Sequence, residues 1–378
     1  MRDLIDCIKR YIAVTESERF VIHWKTLAKR LLNGIEYEYQ RNSSEQSIVK
    51  SIKSIIKNVG QFSTRDKRLN FDINTNSIFI HGNKSQVEFE YYGKRTQREL
   101  GDIIFILSVV YKGRKFFKKM TINQVKKSKN VSWNFNSQSA KEQLYLLSRF
   151  ATFKGVKGLI PNKEYNLPNY SGCLGTHGLL YSPGDFALIS SKQLEVILSG
   201  KNILKLENLV SSLNPNNLCL CFPCRYLLDD IDFEECFFLL FELIQSYPRY
   251  LRYFPFICIC NLPILGNSCI SYNAYDFSVK YMRGVIGELI YARKLPYNKT
   301  AFQFLQDLLS VIKEKAKKEN LKNVLNFISS FDAYKYAYKY GDGQGDEGYV
   351  EFNYEGGGIG VIHTTINLGK DEYDGDGV

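Results

Sequence analysis

The sequence predicts an α/β protein with a mixed β-sheet flanked by helices, plus a mainly helical C-terminal region. Within residues 1–58, apolar side chains recur at spacings of three and four, which is typical of amphipathic helices. From about residue 70 the pattern changes to runs of β-forming residues separated by turn residues. A helical segment and further strand segments follow before residue 202. Helices and strands that alternate in this way indicate an α/β layout.

Individual elements follow from the same patterns. Strands are predicted over 71–80, 87–92, 103–110, 116–125, 178–181 and 186–190, and an apolar segment over 218–222. Helices are predicted over 137–150, 192–198, 232–245, 279–294 and 300–331, with a buried segment over 254–259. The chain is therefore expected to comprise an α/β domain (1–202), a mainly helical accessory or partner domain (203–340) and a Gly-rich, acidic, flexible tail (341–378) with a short strand over 360–366.

The charge is unevenly distributed along the chain. Fifty basic and 39 acidic residues give a net charge of +11. The segment 341–378 holds nine acids and one base, so it carries −8 and the rest of the chain carries +19. Such a basic body attracts polyanions, which favours nucleic acid or an acidic surface as partner. The acidic tail either competes with nucleic acid for that body or only aids solubility.

We expect a cytoplasmic protein that makes no use of a membrane. The first ten residues alternate charged and apolar side chains, unlike a secretory signal. No apolar run approaches the roughly 20 residues that span a bilayer. Seven of the nine cysteines lie between Cys219 and Cys269 and are predicted to be buried free thiols. A zinc site at Cys219, Cys221 and Cys224 is the weaker alternative, because no histidine lies nearby.

The strands at 103–110 and 116–125 are predicted to form an antiparallel hairpin that turns at Gly113. Facing residues in that hairpin have numbers that sum to about 226, so Asp102 lies opposite Gln124, and Lys126 shares the face of Gln124. A carboxylate and a carboxamide can hold Mg²⁺, while a nearby ammonium stabilises charge that develops during phosphodiester hydrolysis. An ordinary salt bridge between Asp102 and Lys126 is the alternative.

At these residues the segment resembles the PD-(D/E)xK restriction-endonuclease-like superfamily, in the variant with glutamine at the (D/E) position. Asp102 matches the metal-binding aspartate, Gln124 the (D/E) position and Lys126 the catalytic lysine. Together with Trp133 and the run Gln143-Leu144-Tyr145, the stretch looks like nucleases of prokaryotic antiviral defence systems.

The resemblance implies a restriction-endonuclease-like core within residues 1–202 and an endonuclease that depends on Mg²⁺ or Mn²⁺. Asp102 would bind the metal, with Gln124 and Glu99 as auxiliary ligands, and Lys126 would activate water. A further acid from a preceding helix is implied, for which Glu36 or Glu38 is the candidate. Gln124 in place of an acid, and no proline before Asp102, depart from the common pattern.

Basic residues around the hairpin suggest a track for a nucleic-acid backbone, with DNA favoured over RNA. The candidates are Lys94, Arg95, Arg98, Lys127 and Lys129, and the alternative is a solvated hairpin. The aromatic residues Tyr91, Tyr92, Phe116, Phe117 and Trp133 either stack on bases or belong to the core. A non-catalytic subunit that binds nucleic acid or protein is the rival to a nuclease. The chain could bind a partner protein through residues 203–340, and it could form an oligomer; the sequence decides neither.

Overall fold

The computed structural model describes residues 2–59, 61–64, 69–81, 86–212, 264, 269–295, 297–332 and 358–369. Over this part of the chain the protein is α/β, with a large mixed sheet flanked by helices, as the sequence predicts. The helices are α1 (Arg2–Glu16), α2 (Glu18–Gln40), α3 (Glu45–Val59), α4 (Gln138–Arg149), α5 (Ser191–Leu198), α6 (Leu206–Ser212), α7 (Ala274–Met282), α8 (Lys299–Lys318) and α9 (Lys322–Asp332). The predicted elements at 218–222, 232–245 and 254–259 lie outside the described residues, as do Cys219, Cys221 and Cys224.

The large sheet contains nine of the described strands. In chain order they are β1 (Phe62–Thr64), β2 (Phe71–His81), β5 (Ile103–Tyr111), β6 (Arg114–Ser128), β10 (Gly175–Tyr181), β11 (Asp185–Ser190), β13 (Ile270–Ser271), β14 (Glu288–Ala292) and β15 (Gly358–Leu368). Their spatial order is β1-β2-β15-β5-β6-β10-β11-β13, and β14 pairs with β6. A smaller sheet has the order β4-β3-β8-β9, from β3 (Gln86–Tyr91), β4 (Lys94–Glu99), β8 (Phe153–Lys157) and β9 (Glu164–Tyr165). A two-stranded sheet pairs β7 (Ser132–Asn134) with β12 (Ile203–Lys205).

Strands β5 and β6 form the predicted hairpin. Ile103 pairs with Asn123 and Val109 with Phe117, so the predicted sum of 226 holds along most of the ladder. The two turn residues, Lys112 and Gly113, have φ angles of 50° and 68°. A two-residue turn with positive φ at both positions matches the twist of the strands and fixes their register. The register confirms that the position of Asp102 is adjacent to that of Gln124.

Strand β15 lies in the middle of the large sheet, which corrects the expectation of a flexible tail for residues 358–369. It runs parallel to β5, with Gly360 beside Ile103, and antiparallel to β2. Its aliphatic side chains Val361, Ile362 and Ile366 are buried. The strand was predicted at 360–366, but its neighbours make it a core element.

Residues from the predicted accessory domain also complete the large sheet. The helix predicted over 279–294 is wrong beyond Met282, because Gly284 and Gly287 adopt φ angles of 63° and 99°, and the chain then forms strand β14. The helix predicted over 300–331 is two helices, which are separated at Asn320 with φ 54°. The boundary at residue 202 is therefore not a boundary of the sheet.

Each face of the large sheet has its own core. Phe105 and Leu107 of β5 face helices α1, α2, α3 and α7. Ile104 and Ile106 face α4, α8, α9 and the smaller sheet. This alternation is the ordinary period of a strand that is covered on both sides. Among the described helices, none has the length and apolar character that crossing a membrane requires.

The cysteine prediction is wrong for Cys269. This side chain forms a disulfide with Cys173, which lies 96 positions earlier in the sequence, and the two Cα atoms are 5.6 Å apart. Cys7 is a buried free cysteine, as a thiol among apolar neighbours is expected to be.

Candidate functional site

The candidate site lies where β5 begins and β6 approaches its end. Asp102 precedes β5, and its backbone is held on both sides. Its N–H donates to Asn123 O at 2.9 Å, and its C=O accepts from Gly360 N at 2.8 Å. Because β6 and β15 both bond to this residue, the carboxylate has a fixed position at the edge of two ladders.

The carboxylate of Asp102 is bound by groups from β6. Oδ2 accepts from Val125 N at 2.7 Å and from Gln124 Nε2 at 2.5 Å. Burial raises the pKa of Asp102 to about 7. The charge of Lys126 and the bond from Val125 lower this pKa, while the charges of Glu45 and Glu99 raise it. The hydrogen bonds and Lys126 therefore offset only part of the cost of ionisation, and a cation at this carboxylate would favour the ionised form.

Gln124 connects Asp102 to helix α4. Its Oε1 accepts from Gln143 Nε2, and Gln143 also donates to the backbone oxygen of Glu99 at 3.3 Å. Both glutamines are at least nine-tenths buried. Ser137 is the N-cap of helix α4, and its hydroxyl accepts from Ala140 N at 3.2 Å. This cap sets the start of the helix that carries Gln143. Gln143 belongs to the run that carries the family resemblance, but the sequence did not predict its contact with Gln124.

Lys126 points to a residue that the sequence analysis did not find. Its Nζ lies 3.6 Å from Glu45 Oε1, in the first turn of α3. The sequence carries a signal for this residue: Glu45 precedes Ile48 and Ile52 by three and seven positions, so it lies in line with the buried face of the helix, with its side chain 32% exposed. A carboxylate in line with an apolar stripe needs a polar partner.

The two acids proposed for the preceding helix lie in the last turns of α2. The Glu36 carboxylate accepts from Gln40 Nε2 at 3.4 Å. The backbone of Glu38 accepts from Ser43 N at 3.0 Å. One acid whose charge acts on Asp102 is Glu45 of α3. Glu99, the predicted auxiliary ligand, also raises the pKa of Asp102 by its charge, so both acids lie within electrostatic range of the site.

Two of the five predicted nucleic-acid contacts have protein partners. Lys127 Nζ donates to Ser43 O at 2.8 Å and lies 4.8 Å from the ring centroid of Tyr39. Arg98 pairs with the buried Glu142 of α4 at 2.5 Å. These two side chains hold α2 and α4 against the strands.

The other three predicted contacts, Lys94, Arg95 and Lys129, are exposed. Lys94 pairs with Tyr91 across β3 and β4, and Arg95 pairs with Glu90. Neighbouring side chains on a strand point to opposite faces, so Lys94 and Arg95 do not share a face. The track for a nucleic-acid backbone that these residues suggest stays a prediction.

His177 lies beside the site on β10, in register with Gln124. Its Nδ1 is 2.9 Å from Ser191 Oγ, and burial together with the charge of Lys126 lowers its pKa to about 3. The imidazole is therefore neutral near pH 7, and it supports the sheet rather than carrying charge.

The donors at the site fit a weakly held Mg²⁺. Asp102 supplies a carboxylate, and Gln124 supplies a carboxamide whose oxygen binds a cation once the amide group is turned over. Mg²⁺ needs only one or two carboxylates because it keeps several waters. Over the described part of the chain, no three His, Cys, Asp or Glu side chains are grouped so as to hold a metal ion.

Comparisons of the chain with protein-family models, curated proteins and solved structures found no match in any of the three.

Proposed function

We propose that this protein is a Mg²⁺-dependent nuclease with a restriction-endonuclease-like core, which hydrolyses phosphodiester bonds at Asp102. The observation that carries the proposal is the 2.5 Å contact between Asp102 Oδ2 and Gln124 Nε2, with Lys126 two residues further along β6. The family resemblance of the same residues supports it. Mn²⁺ is the natural substitute cation, since it also prefers oxygen ligands.

Each side chain has a distinct role in this proposal. Asp102 and the amide oxygen of Gln124 hold the cation, and Glu99 acts as an auxiliary acid. A bound Mg²⁺ supplies neutralisation of phosphate charge and a more acidic water. Lys126 would orient the attacking water and would stabilise the negative charge of the transition state. Gln143 is a positioning residue: its amide group bonds to the Gln124 amide, and both amide groups would turn over for the Gln124 oxygen to bind the cation.

The biological role that we propose is that of an effector in prokaryotic antiviral defence, acting on DNA in preference to RNA. The excess of basic over acidic residues outside 341–378 supports a polyanionic substrate. The defence role rests on the resemblance to nucleases of such systems.

The test compares cleavage of plasmid DNA and of single-stranded DNA by the wild type and by Asp102→Ala and Lys126→Ala, with Mg²⁺ and with EDTA. We expect neither variant to cleave and the wild type to cleave only with the metal. Lys313→Ala is the matched control, because Lys313 is an exposed lysine of helix α8 that is not among the predicted nucleic-acid contacts. Full Mg²⁺-dependent cleavage by either purified site variant would refute the assignment.

A non-catalytic subunit that binds nucleic acid or protein is the second candidate. The observation in its favour is that the Gln124 amide is satisfied without a cation, since it donates to Asp102 and accepts from Gln143. Binding that is unaffected by EDTA, together with no cleavage at any Mg²⁺ or Mn²⁺ concentration, would favour this candidate.

A further inference from the structure

Three tyrosines meet at the tip of the β3–β4 hairpin. The ring centroids of Tyr91 and Tyr92 are 4.7 Å apart. The ring of Tyr145, from helix α4, lies 5.1 Å from Tyr91 and 5.3 Å from Tyr92. The exposed fraction of Tyr92 is 69%, the largest among the exposed large hydrophobic residues of the described chain. We call these three residues the tyrosine cluster.

The ring of Tyr92 contacts Tyr91 and Tyr145, but most of it remains exposed. Other contacts fix the hairpin on α4: Thr96 Oγ1 donates to Glu142 Oε2 at 2.8 Å, and Phe89 stacks on Tyr145 with centroids 6.4 Å apart. Tyr92 also occupies the first turn position, with φ 46°. Turns of this type favour Asn, Asp or Gly there, because a bulky side chain is disfavoured at positive φ. An exposed tyrosine at this position is costly for folding and contributes little to the core.

Cations flank the tyrosine cluster. Lys94 is exposed and pairs with Tyr91 across the hairpin. The guanidinium carbon of Arg149 lies 4.9 Å from the ring centroid of Tyr145, and the same side chain pairs with Glu195 at 2.9 Å. Exposed aromatic faces beside cations are the combination by which proteins bind single-stranded nucleic acid, since rings stack on bases and cations neutralise phosphates.

We propose that the tyrosine cluster is a stacking platform for unpaired bases of single-stranded nucleic acid. This inference rests on the proposed function in naming the substrate of the Asp102 site. Helix α4 carries both Tyr145, one ring of the cluster, and Gln143, which contacts Gln124 of the site. Bases in a duplex are already stacked on one another, so the platform selects unpaired strands over duplexes.

The experiment measures binding by fluorescence anisotropy in EDTA, so that no cleavage is required. The probes are a labelled 20-nucleotide thymidine oligonucleotide and an abasic oligonucleotide of the same length and charge. Tyr92→Ala is expected to weaken binding of the thymidine probe at least about fivefold and to leave binding of the abasic probe unchanged. Tyr92→Phe keeps the ring and is expected to bind like the wild type.

Tyr275→Ala is the matched control. Tyr275 is 42% exposed on α7, which packs on the opposite face of the large sheet through Phe277 and Phe105. Binding by this variant is expected to equal that of the wild type. An equal loss for both probes, no loss for Tyr92→Ala, or tighter binding of a duplex of the same sequence would overturn the proposal.

The outcome is separate from that of the nuclease test. Base-dependent binding that is lost in Tyr92→Ala supports the platform even if no variant or condition gives cleavage. Cleavage that depends on Asp102, with binding that ignores the bases, would leave the nuclease standing and remove the platform.

Discussion

Lys126 Nζ lies 3.6 Å from Glu45 Oε1, and this contact joins the final residues of β6 to the first turn of α3. The two side chains are 40% and 32% exposed. Ion pairs that are exposed to this extent are screened by water and contribute about 0.2–1 kcal/mol. The ion pair of Lys126 therefore contributes little to the free energy of unfolding.

We predict that Lys126→Met changes the free energy of unfolding by less than about 1 kcal/mol, as measured by urea denaturation. The same variant is expected to lose Mg²⁺-dependent cleavage. A loss of stability above about 3 kcal/mol would show that Lys126 has a structural role and would make the loss of cleavage uninformative.

Asp102 makes stability depend on pH. Its pKa is about 7 in the folded protein and ordinarily 3.8, so the folded state holds its proton more tightly. This contribution favours folding most at acidic pH and is lost as the pH rises to about 7. Asp102→Asn cannot ionise, so its stability relative to the wild type should rise by about 2–3 kcal/mol between pH 5 and pH 8. Urea denaturation at the two pH values measures the difference.

When each variant is compared with the wild type at the same pH, the effect of other titrating groups on the free energy of unfolding cancels. Glu288, with a pKa raised to about 7 by burial, is one such group. A constant difference between Asp102→Asn and the wild type across this range would contradict the raised pKa of Asp102 in the folded protein.

The central position of strand β15 in the large sheet allows a prediction of how truncation affects the fold. Removal of residues 358–378 takes out the strand between β2 and β5, so we expect loss of cooperative thermal unfolding. Removal of 370–378 alone leaves β15 complete and is the matched control, for which we expect a melting temperature close to that of the wild type. Well-folded protein after the longer truncation would contradict the place of β15 in the sheet.

Glu288 is fully buried on β14, and its Oε2 accepts from Ser171 N at 3.0 Å and from the Ser171 hydroxyl. Its charge also raises the pKa of Lys119, which burial lowers to about 7. Glu288→Ala leaves these buried groups without the carboxylate, so we expect a loss of about 3 kcal/mol or more. Glu288→Gln keeps an acceptor and should lose less than half as much. Equal stability of the two variants in urea would contradict this role.

The sequence predicted the elements whose structure is local. The β5–β6 hairpin has a two-residue turn, so its register could be counted, and the predicted contact between Asp102 and Gln124 follows from that count. Helix α4 has a serine cap and an apolar stripe, which also lie within a short segment. The function predicted from these residues stays a proposal.

The elements that the sequence missed depend on distant partners. Glu45 was overlooked because only the packing of α3 on the sheet brings it to Lys126. The segment 288–292 continued a helical pattern, but pairing with β6 made it a strand. Propensity is a weak prior where a sheet edge offers backbone hydrogen bonds.

The sequence by itself determined the α/β class, the hairpin and its register, and the meeting of an acid with an amide at its end. Only the tertiary structure decided that β15 fills the centre of the sheet, that Glu45 lies beside Lys126, and that Tyr91, Tyr92 and Tyr145 share one surface. The physical reason is that a short turn restricts pairing to one local register, whereas contacts between distant segments depend on how the whole core packs.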